Sequence, residues 1–73
     1  MKKYPIRLKE VRESKKLKQS EIAEMINVTT RHYQDMEYGK INIPMMTLKT
    51  LADFYDVSID YLMFRTDNPR ITT

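Results

Sequence analysis

The stretch from Gln19 to Lys40 constrains the fold of this chain more than any other part of the sequence. Apolar residues recur there at helical spacing on both sides of a break at residues 27–29. Asn27 can take the left-handed backbone that ends a helix, and Thr29 is a good N-cap for a following helix. Gly39 is a typical helix end. The stretch therefore predicts two short helices joined by a tight turn.

The residues of this stretch also occupy the positions that one motif requires. Ala23 is small where the two helices would touch, and Asn27 lies in the turn. The apolar positions of the motif are filled by Ile22, Ile26, Val28, Tyr33 and Met36. From about Ile6 to Phe64, the chain resembles the Cro and lambda-repressor-like helix-turn-helix family of bacterial and phage transcriptional regulators. So many matches in order are a specific signal.

The resemblance implies an all-α fold, a compact bundle of five short helices that contains the helix-turn-helix. We expect residues 1–65 to form this DNA-binding domain and residues 66–73 to be a polar tail that frays. Pro5 suits the first turn of the first helix, which should end near Lys16. The family usually has Gly there, so either Lys16 takes a left-handed backbone or the helix end shifts.

Charge is distributed unevenly along the chain. The net charge is +3, but residues 1–20 hold eight Lys or Arg against two Glu, and the remaining residues carry a net negative charge. A basic N-terminal helix could face a phosphate backbone. The alternative is an ordinary solvated, lysine-rich surface.

Reading a major groove requires a helix that fits the groove and short polar side chains near its start. The resemblance places the base-reading positions at Thr29, Thr30, Arg31, Gln34 and Asp35. Arg31 could contact guanine and Gln34 could contact adenine. Asp35 could orient the Arg31 guanidinium or accept from cytosine. The alternative is a solvated helix face with a weak Arg–Asp pair.

The resemblance also assigns contacts to the phosphate backbone, at Gln19, Lys40 and Asn42. In the family, the Gln that opens the first motif helix contacts a phosphate and supports the recognition helix, and the N–H groups of the helix start add to this anion site. Ile41 and Ile43 stand where the family often has charges. We therefore expect fewer phosphate contacts from this loop.

Two charged residues are expected inside the domain. Arg12 and Glu37 lie on the inward faces of their helices, and the family commonly pairs these positions. We expect a partly buried ion pair with a structural role, which holds the first helix against the third.

The last helix carries more apolar side chains than one helical turn can bury. Tyr61, Met63 and Phe64 should form an exposed patch, and such a patch often marks an interface. Because two-fold dimers are the commonest oligomers, we expect a homodimer through this helix. The alternative is a monomer in which the same residues cap the core.

The sequence offers little for other classes of function. It has no cysteine and a single histidine, His32, so we expect neither a disulfide nor a metal site. We find no nucleophile–base pair and no Gly-rich phosphate loop, and therefore expect no enzyme and no cofactor. No stretch resembles a signal peptide or could span a bilayer, which predicts a cytoplasmic protein without a membrane partner.

The favoured interpretation is a sequence-specific regulator of transcription that binds double-stranded DNA, acting as a dimeric repressor with its third helix in the major groove. The alternative is a protein-interaction module, such as an antitoxin or an antagonist of another regulator. In that case the helix-turn-helix would be mainly a scaffold, and the last helix would bind a protein partner. Co-purification of a second chain would favour the alternative.

Overall fold

The computed structural model describes residues 4–70, and throughout this range the regular structure is helical. In chain order the helices are α1 (Leu8–Ser14), α2 (Gln19–Met25), α3 (Thr30–Glu37), α4 (Met45–Tyr55) and α5 (Ile59–Leu62). The predicted all-α fold of five short helices is confirmed. Helices α2 and α3, joined by the turn at residues 26–29, form the helix-turn-helix.

The start of α1 differs from the prediction. The helix begins at Leu8 rather than Pro5, and the N–H of Arg7 donates to the carbonyl oxygen of Leu62 at 2.7 Å. Ile6 is buried in the core. Packing of this segment against the C-terminal helix thus outweighs the local preference of proline for a first helical turn.

All five helices end in the same way, with a residue in the left-handed conformation followed by a residue whose N–H reaches back over the last turn. The left-handed residues are Lys16, Asn27, Gly39, Asp56 and Phe64. The returning hydrogen bonds, for example from Val28 N–H to the Ala23 carbonyl, measure 2.8–3.3 Å. These are Schellman ends, which satisfy carbonyl groups that the helix leaves free. Lys16 therefore takes the left-handed backbone, at a cost of about 1–2 kcal/mol.

The helix starts are capped by different groups. Thr29 Oγ1 accepts the His32 N–H at 3.1 Å at the start of α3, and Ser58 Oγ accepts the Tyr61 N–H at 3.0 Å at the start of α5. Lys18, at the start of α2, has no side chain that can accept. Instead the Glu21 carboxylate accepts the Lys18 N–H at 2.9 Å, so the first turn supplies the missing cap.

The core lies between the helix pairs α1 and α3, α2 and α3, and α4 and α5. Its largest fully buried apolar side chains are Leu8, Ile22, Tyr33, Met36, Leu51, Tyr55 and Leu62. Ala23 is buried as predicted for the residue at the helix contact, whereas Ile26 is only half-buried. This packing fixes α3 from two sides and leaves its N-terminal end at the surface.

The segment after α5 lies against the domain over its described part. The Ser58 N–H donates to the Pro69 carbonyl oxygen at 2.9 Å. Arg7 Nη2 lies 3.1 Å from Asp67 Oδ1 and 3.4 Å from the Thr66 carbonyl oxygen. The segment is polar, as expected, and these bonds link Thr66, Asp67 and Pro69 to the domain, while the fraying of the tail remains a prediction. The expectation for residues 71–73 concerns a part outside the described residues.

Candidate nucleic-acid interface

The five residues predicted to read bases lie on α3 or at its N-cap, but they differ in exposure. The exposed ones are Thr29, Thr30 and Arg31, and the half-buried ones are Gln34 and Asp35. Because the Thr29 hydroxyl oxygen already caps the helix, its O–H is the group that remains to donate to a partner. The face therefore offers hydroxyl, guanidinium, amide and carboxylate groups within two turns of helix.

Arg31 is held only loosely. Its Nε lies 3.6 Å from Asp35 Oδ1, and its side chain is 79% exposed. Exposed ion pairs of this kind contribute about 0–1 kcal/mol. The guanidinium can therefore leave Asp35 for a better acceptor at little cost.

A buried ion pair lies behind this face. Arg12 Nε donates to Glu37 Oε2 at 2.6 Å, and Arg12 Nη2 donates to Oε1 at 3.3 Å. A third bond runs from Arg12 Nη1 to the Leu17 carbonyl oxygen at 2.7 Å. The hydrogen bond to the Glu37 carboxylate raises the pKa of Arg12 above its ordinary value. The guanidinium of Arg12 therefore keeps its charge, and the pair ties α1 to the end of α3.

Two glutamine amides connect this pair to the surface. Gln19 Nε2 donates to Glu37 Oε1 at 3.1 Å, and Gln34 Nε2 donates to Gln19 Oε1 at 3.0 Å. The amide of Gln19 is thus bonded at both ends, which leaves one of its N–H groups for a phosphate. The resemblance gave Gln19 a phosphate contact and a role in supporting the recognition helix, but sequence reasoning did not identify Gln34 as the residue to which Gln19 is bonded. Their only shared signal is an amide on each of two helices that the motif brings together.

Two buried tyrosines adjoin the ion pair. Burial raises the pKa of Tyr33 above its ordinary value, with further contributions from Tyr55 and Glu37. Burial likewise raises the pKa of Tyr55. The two hydroxyls are near enough to influence each other, but neither has the geometry of a hydrogen bond to any described group. Both tyrosines therefore remain neutral in the folded domain over the ordinary range of pH.

The loop after α3 presents the two residues predicted to contact phosphates. Lys40 and Asn42 are exposed, and Lys40 Nζ lies 5.7 Å from the centre of the Tyr38 ring. Ile41 is half-buried and Ile43 is buried. These two isoleucines, at positions where the family often has charged residues, thus pack toward the core. Lys40 is the one cation that this loop offers to a phosphate.

The basic character of the N-terminal region lies only partly at the surface. Arg7 and Arg12 are both buried, although they count among the eight basic residues of positions 1–20. The exposed basic residues of this region, within the described range, are Lys9, Lys15, Lys16 and Lys18. The charge available to a phosphate backbone is therefore smaller than the sequence balance indicates.

The residues predicted to form a dimer interface surround Arg7 in part. The Arg7 guanidinium carbon lies 4.2 Å from the ring centres of both Tyr61 and Phe64. Tyr61 is half-buried by this arrangement, whereas Phe64 and Met63 keep 49% and 38% of their surface exposed. Sequence reasoning missed the role of Arg7. Two signals were available in the sequence. Tyr61 and Phe64 are three positions apart, and Arg7 stands between the apolar residues Ile6 and Leu8.

Residues 4–70 contain no cluster of side chains that could bind a metal ion. His32 is exposed, and no three His, Cys, Asp or Glu side chains in this range form a group that could hold a metal ion. None of the helices described is long and apolar enough to cross a membrane.

Comparison with known proteins agrees with this geometry. The family model described as Helix-turn-helix matches residues 8–62, which include all five helices. The chain belongs to this helix-turn-helix family, and the resemblance read from α2 and α3 is confirmed.

Two relatives come from Bacillus subtilis (strain 168). The chain is 36% identical over 66 residues to YobD and 33% identical over 64 residues to YqaE, each named an uncharacterized HTH-type transcriptional regulator. The matches cover 90% and 88% of this chain but 59% and 55% of the relatives. The chain therefore spans little more than half the length of these relatives. No solved structure gives a significant match.

Proposed function

We propose that this domain is a sequence-specific regulator of transcription that binds double-stranded DNA in the cytoplasm. The N-terminal part of α3 enters the major groove. Thr29, Thr30, Arg31, Gln34 and Asp35 face the base edges, and Gln19, Lys40 and Asn42 contact phosphates. The names of the two relatives support a role in transcription.

The observation that carries the proposal is the polar face of α3 on a rigid support. Arg31 is exposed and loosely paired, so its two-pronged guanidinium is free to bind guanine O6 and N7. The opposite face of α3 buries Tyr33, Met36 and Glu37, which holds the helix at one angle. A binding face of this kind loses little conformational freedom when it meets its target.

Selection of binding sites from a random duplex library tests the proposal directly. We expect an enriched palindrome with half-sites about one helical turn, roughly 34 Å, apart. The affinity for the selected site, measured across a salt series, should fall with a slope that reports the number of phosphates neutralised. Weak binding without an enriched sequence would contradict the proposal.

Arg31→Ala separates base reading from general affinity. The variant should lose about 1–3 kcal/mol of binding free energy and relax the preference at one base pair. Lys49→Ala is the matched control, because Lys49 is also an exposed cation paired with an aspartate four residues on, but it lies on α4. If Arg31→Ala left the relative affinities of all sites unchanged, base reading by Arg31 would be wrong.

We further propose that the domain acts as a homodimeric repressor, which occupies an operator and blocks polymerase. The exposed apolar surface of Met63 and Phe64 supports an interface at the C-terminal end. In a sedimentation experiment, we expect the protein to be a dimer at a concentration on the order of tens of micromolar. A monomer there, or a second protein bound to this surface, would favour the protein-interaction module in place of the repressor.

A further inference from the structure

The strongest unassigned feature is a continuous chain of hydrogen bonds from the core to the exposed face of α3. It begins at the Glu37 carboxylate, whose side chain is 1% exposed, and passes through Gln19 to Gln34. Arg12 fixes the carboxylate from the other side with two bonds. One end of the chain is therefore rigid and charged, and the other end is at the surface.

The chemistry of these groups sets the direction of every bond. An ionised carboxylate can only accept, so Gln19 must turn its NH₂ group toward Glu37. The Gln19 carbonyl then faces Gln34 and can only accept, so Gln34 must turn its own NH₂ group inward. A neutral amide at position 37 would keep its oxygen on Arg12 Nε, because a guanidinium can only donate, and would turn its NH₂ group toward Gln19. The direction of both following bonds would then be reversed. The ionised Glu37 thus removes an ambiguity that the two glutamines alone would keep.

This direction determines what Gln34 can offer to a base. One N–H of its amide is engaged with Gln19, which leaves its carbonyl oxygen and its second N–H. An acceptor beside a donor matches the N6 and N7 edge of adenine in the major groove. Guanine presents two acceptors on that edge, so it would oppose the carbonyl oxygen of an amide that cannot turn over.

We propose that Glu37 and Gln19 are positioning residues that make Gln34 select adenine over guanine. The inference rests on the proposed function, because it concerns the same face of α3. It assigns the buried ion pair a part in sequence selection beyond its structural role. Gln19 accordingly affects which base is bound as well as how tightly a phosphate is held.

The test measures the ratio of affinities for duplexes that carry adenine or guanine at one position. That position is the one whose preference Gln34→Met abolishes in the selected site. Gln19→Met has nearly the same shape as the wild type, keeps the Arg12–Glu37 pair and cuts the chain of hydrogen bonds. We expect the adenine-to-guanine ratio to fall by about tenfold, the lower end of the effect of a bidentate contact.

The ratio distinguishes this role from a phosphate contact, which would lower both affinities equally. In the Gln34→Met background, Gln19→Met should leave the ratio unchanged, since the two residues act in series. If Gln19→Met alone lowered both affinities and kept the ratio, the inference would be wrong while the proposed function stood. If the wild type enriched no sequence at all, both would be wrong.

Glu37→Gln tests the origin of the direction. The variant should lower the ratio at least as far as Gln19→Met does, because its NH₂ group would face Gln19 and reverse the bonds that fix the Gln34 amide. Val57→Ala, a destabilising change in the turn between α4 and α5, is the control and should keep the wild-type ratio. Wild-type selectivity in a folded Glu37→Gln would overturn the role of Glu37. Should that variant not fold, Gln19→Met still decides the role of the hydrogen-bond chain.

Discussion

Arg7 and Arg12 are equally buried, each with 9% of its surface exposed, but two different environments hold them. Arg12 is bonded to a carboxylate whose side chain is 1% exposed. Arg7 lies between two aromatic rings, and the carboxylates of Glu10 and Asp67 that reach it are 65% and 101% exposed. The two arginines therefore link parts of the domain through different interactions: Arg12 through a buried ion pair, and Arg7 mainly through contacts with aromatic rings.

The two environments differ in what the loss of the arginine would leave behind. Without Arg12, Glu37 would be a buried charge without a counter-charge, and leaving a charge in that state is strongly destabilising. Without Arg7, its two carboxylates would remain in water, where they are already hydrated. What Arg7 contributes comes mainly from the rings and from the Tyr61 carbonyl oxygen, which accepts from its Nε at 2.9 Å.

Arg12→Met is expected to have the largest effect on stability. It should lower the free energy of unfolding by about 3–5 kcal/mol, since it leaves Glu37 buried and unpaired. The double variant Arg12→Met/Glu37→Leu should recover most of this loss, because both charges are gone. Urea denaturation of the two variants measures the difference. A double variant less stable than Arg12→Met would contradict the explanation.

Arg7→Met should have a smaller effect, about 2 kcal/mol, from the loss of the ring contacts and of the bond to the Tyr61 carbonyl. It should also speed amide exchange at Ser58, whose N–H is bonded to the segment that Arg7 helps to hold. Asp67→Asn is the control, and it should change stability by less than about 1 kcal/mol because that ion pair is exposed. Equal losses for Arg7→Met and Arg12→Met would break the comparison.

Tyr55→Phe should have the smallest effect near neutral pH and a visible one in alkali. Burial raises the pKa of Tyr55 above 10.0, so the folded domain keeps the proton that the unfolded chain releases. Below pH 10 the residue contributes no pH dependence. Above it, the free energy of unfolding falls by up to about 1.4 kcal/mol per pH unit.

The measurement is urea denaturation between about pH 8 and pH 11, across the ordinary pKa of tyrosine. The fall above pH 10 should be less steep in Tyr55→Phe than in the wild type. Tyr38→Phe changes an exposed ring and serves as the control. The same slope in all three proteins would show that burial of Tyr55 does not govern the alkaline loss.

The helix boundaries of the helix-turn-helix could be predicted from the sequence because they depend on neighbouring residues. Asn27 in the turn, Thr29 at the N-cap and Gly39 at the end each act within a few residues, and the structure places all three as predicted. Their local conformations depend on backbone sterics and on one neighbouring N–H, which sequence shows directly.

The environment of Arg7 could not be predicted in the same way. It contacts residues 54 to 60 positions away, and its backbone N–H is bonded to Leu62 in the segment where Pro5 suggested the first helical turn. The bond between Gln19 and Gln34 also depends on how two helices cross. Such contacts follow from packing, and an apolar pattern defines the faces that pack without defining which polar groups meet beside them.

The five left-handed helix ends have a consequence for how this domain can change over evolutionary time. A helix cannot continue through a left-handed residue, so Lys16, Asn27, Gly39, Asp56 and Phe64 act as fixed joints between segments of set length. The lengths of the helices are therefore set by the residues at their ends, and their angles by the buried faces, and neither depends on the exposed faces. Thr30 and Arg31 can be exchanged without moving α3, so new surface chemistry can arise on an unchanged skeleton.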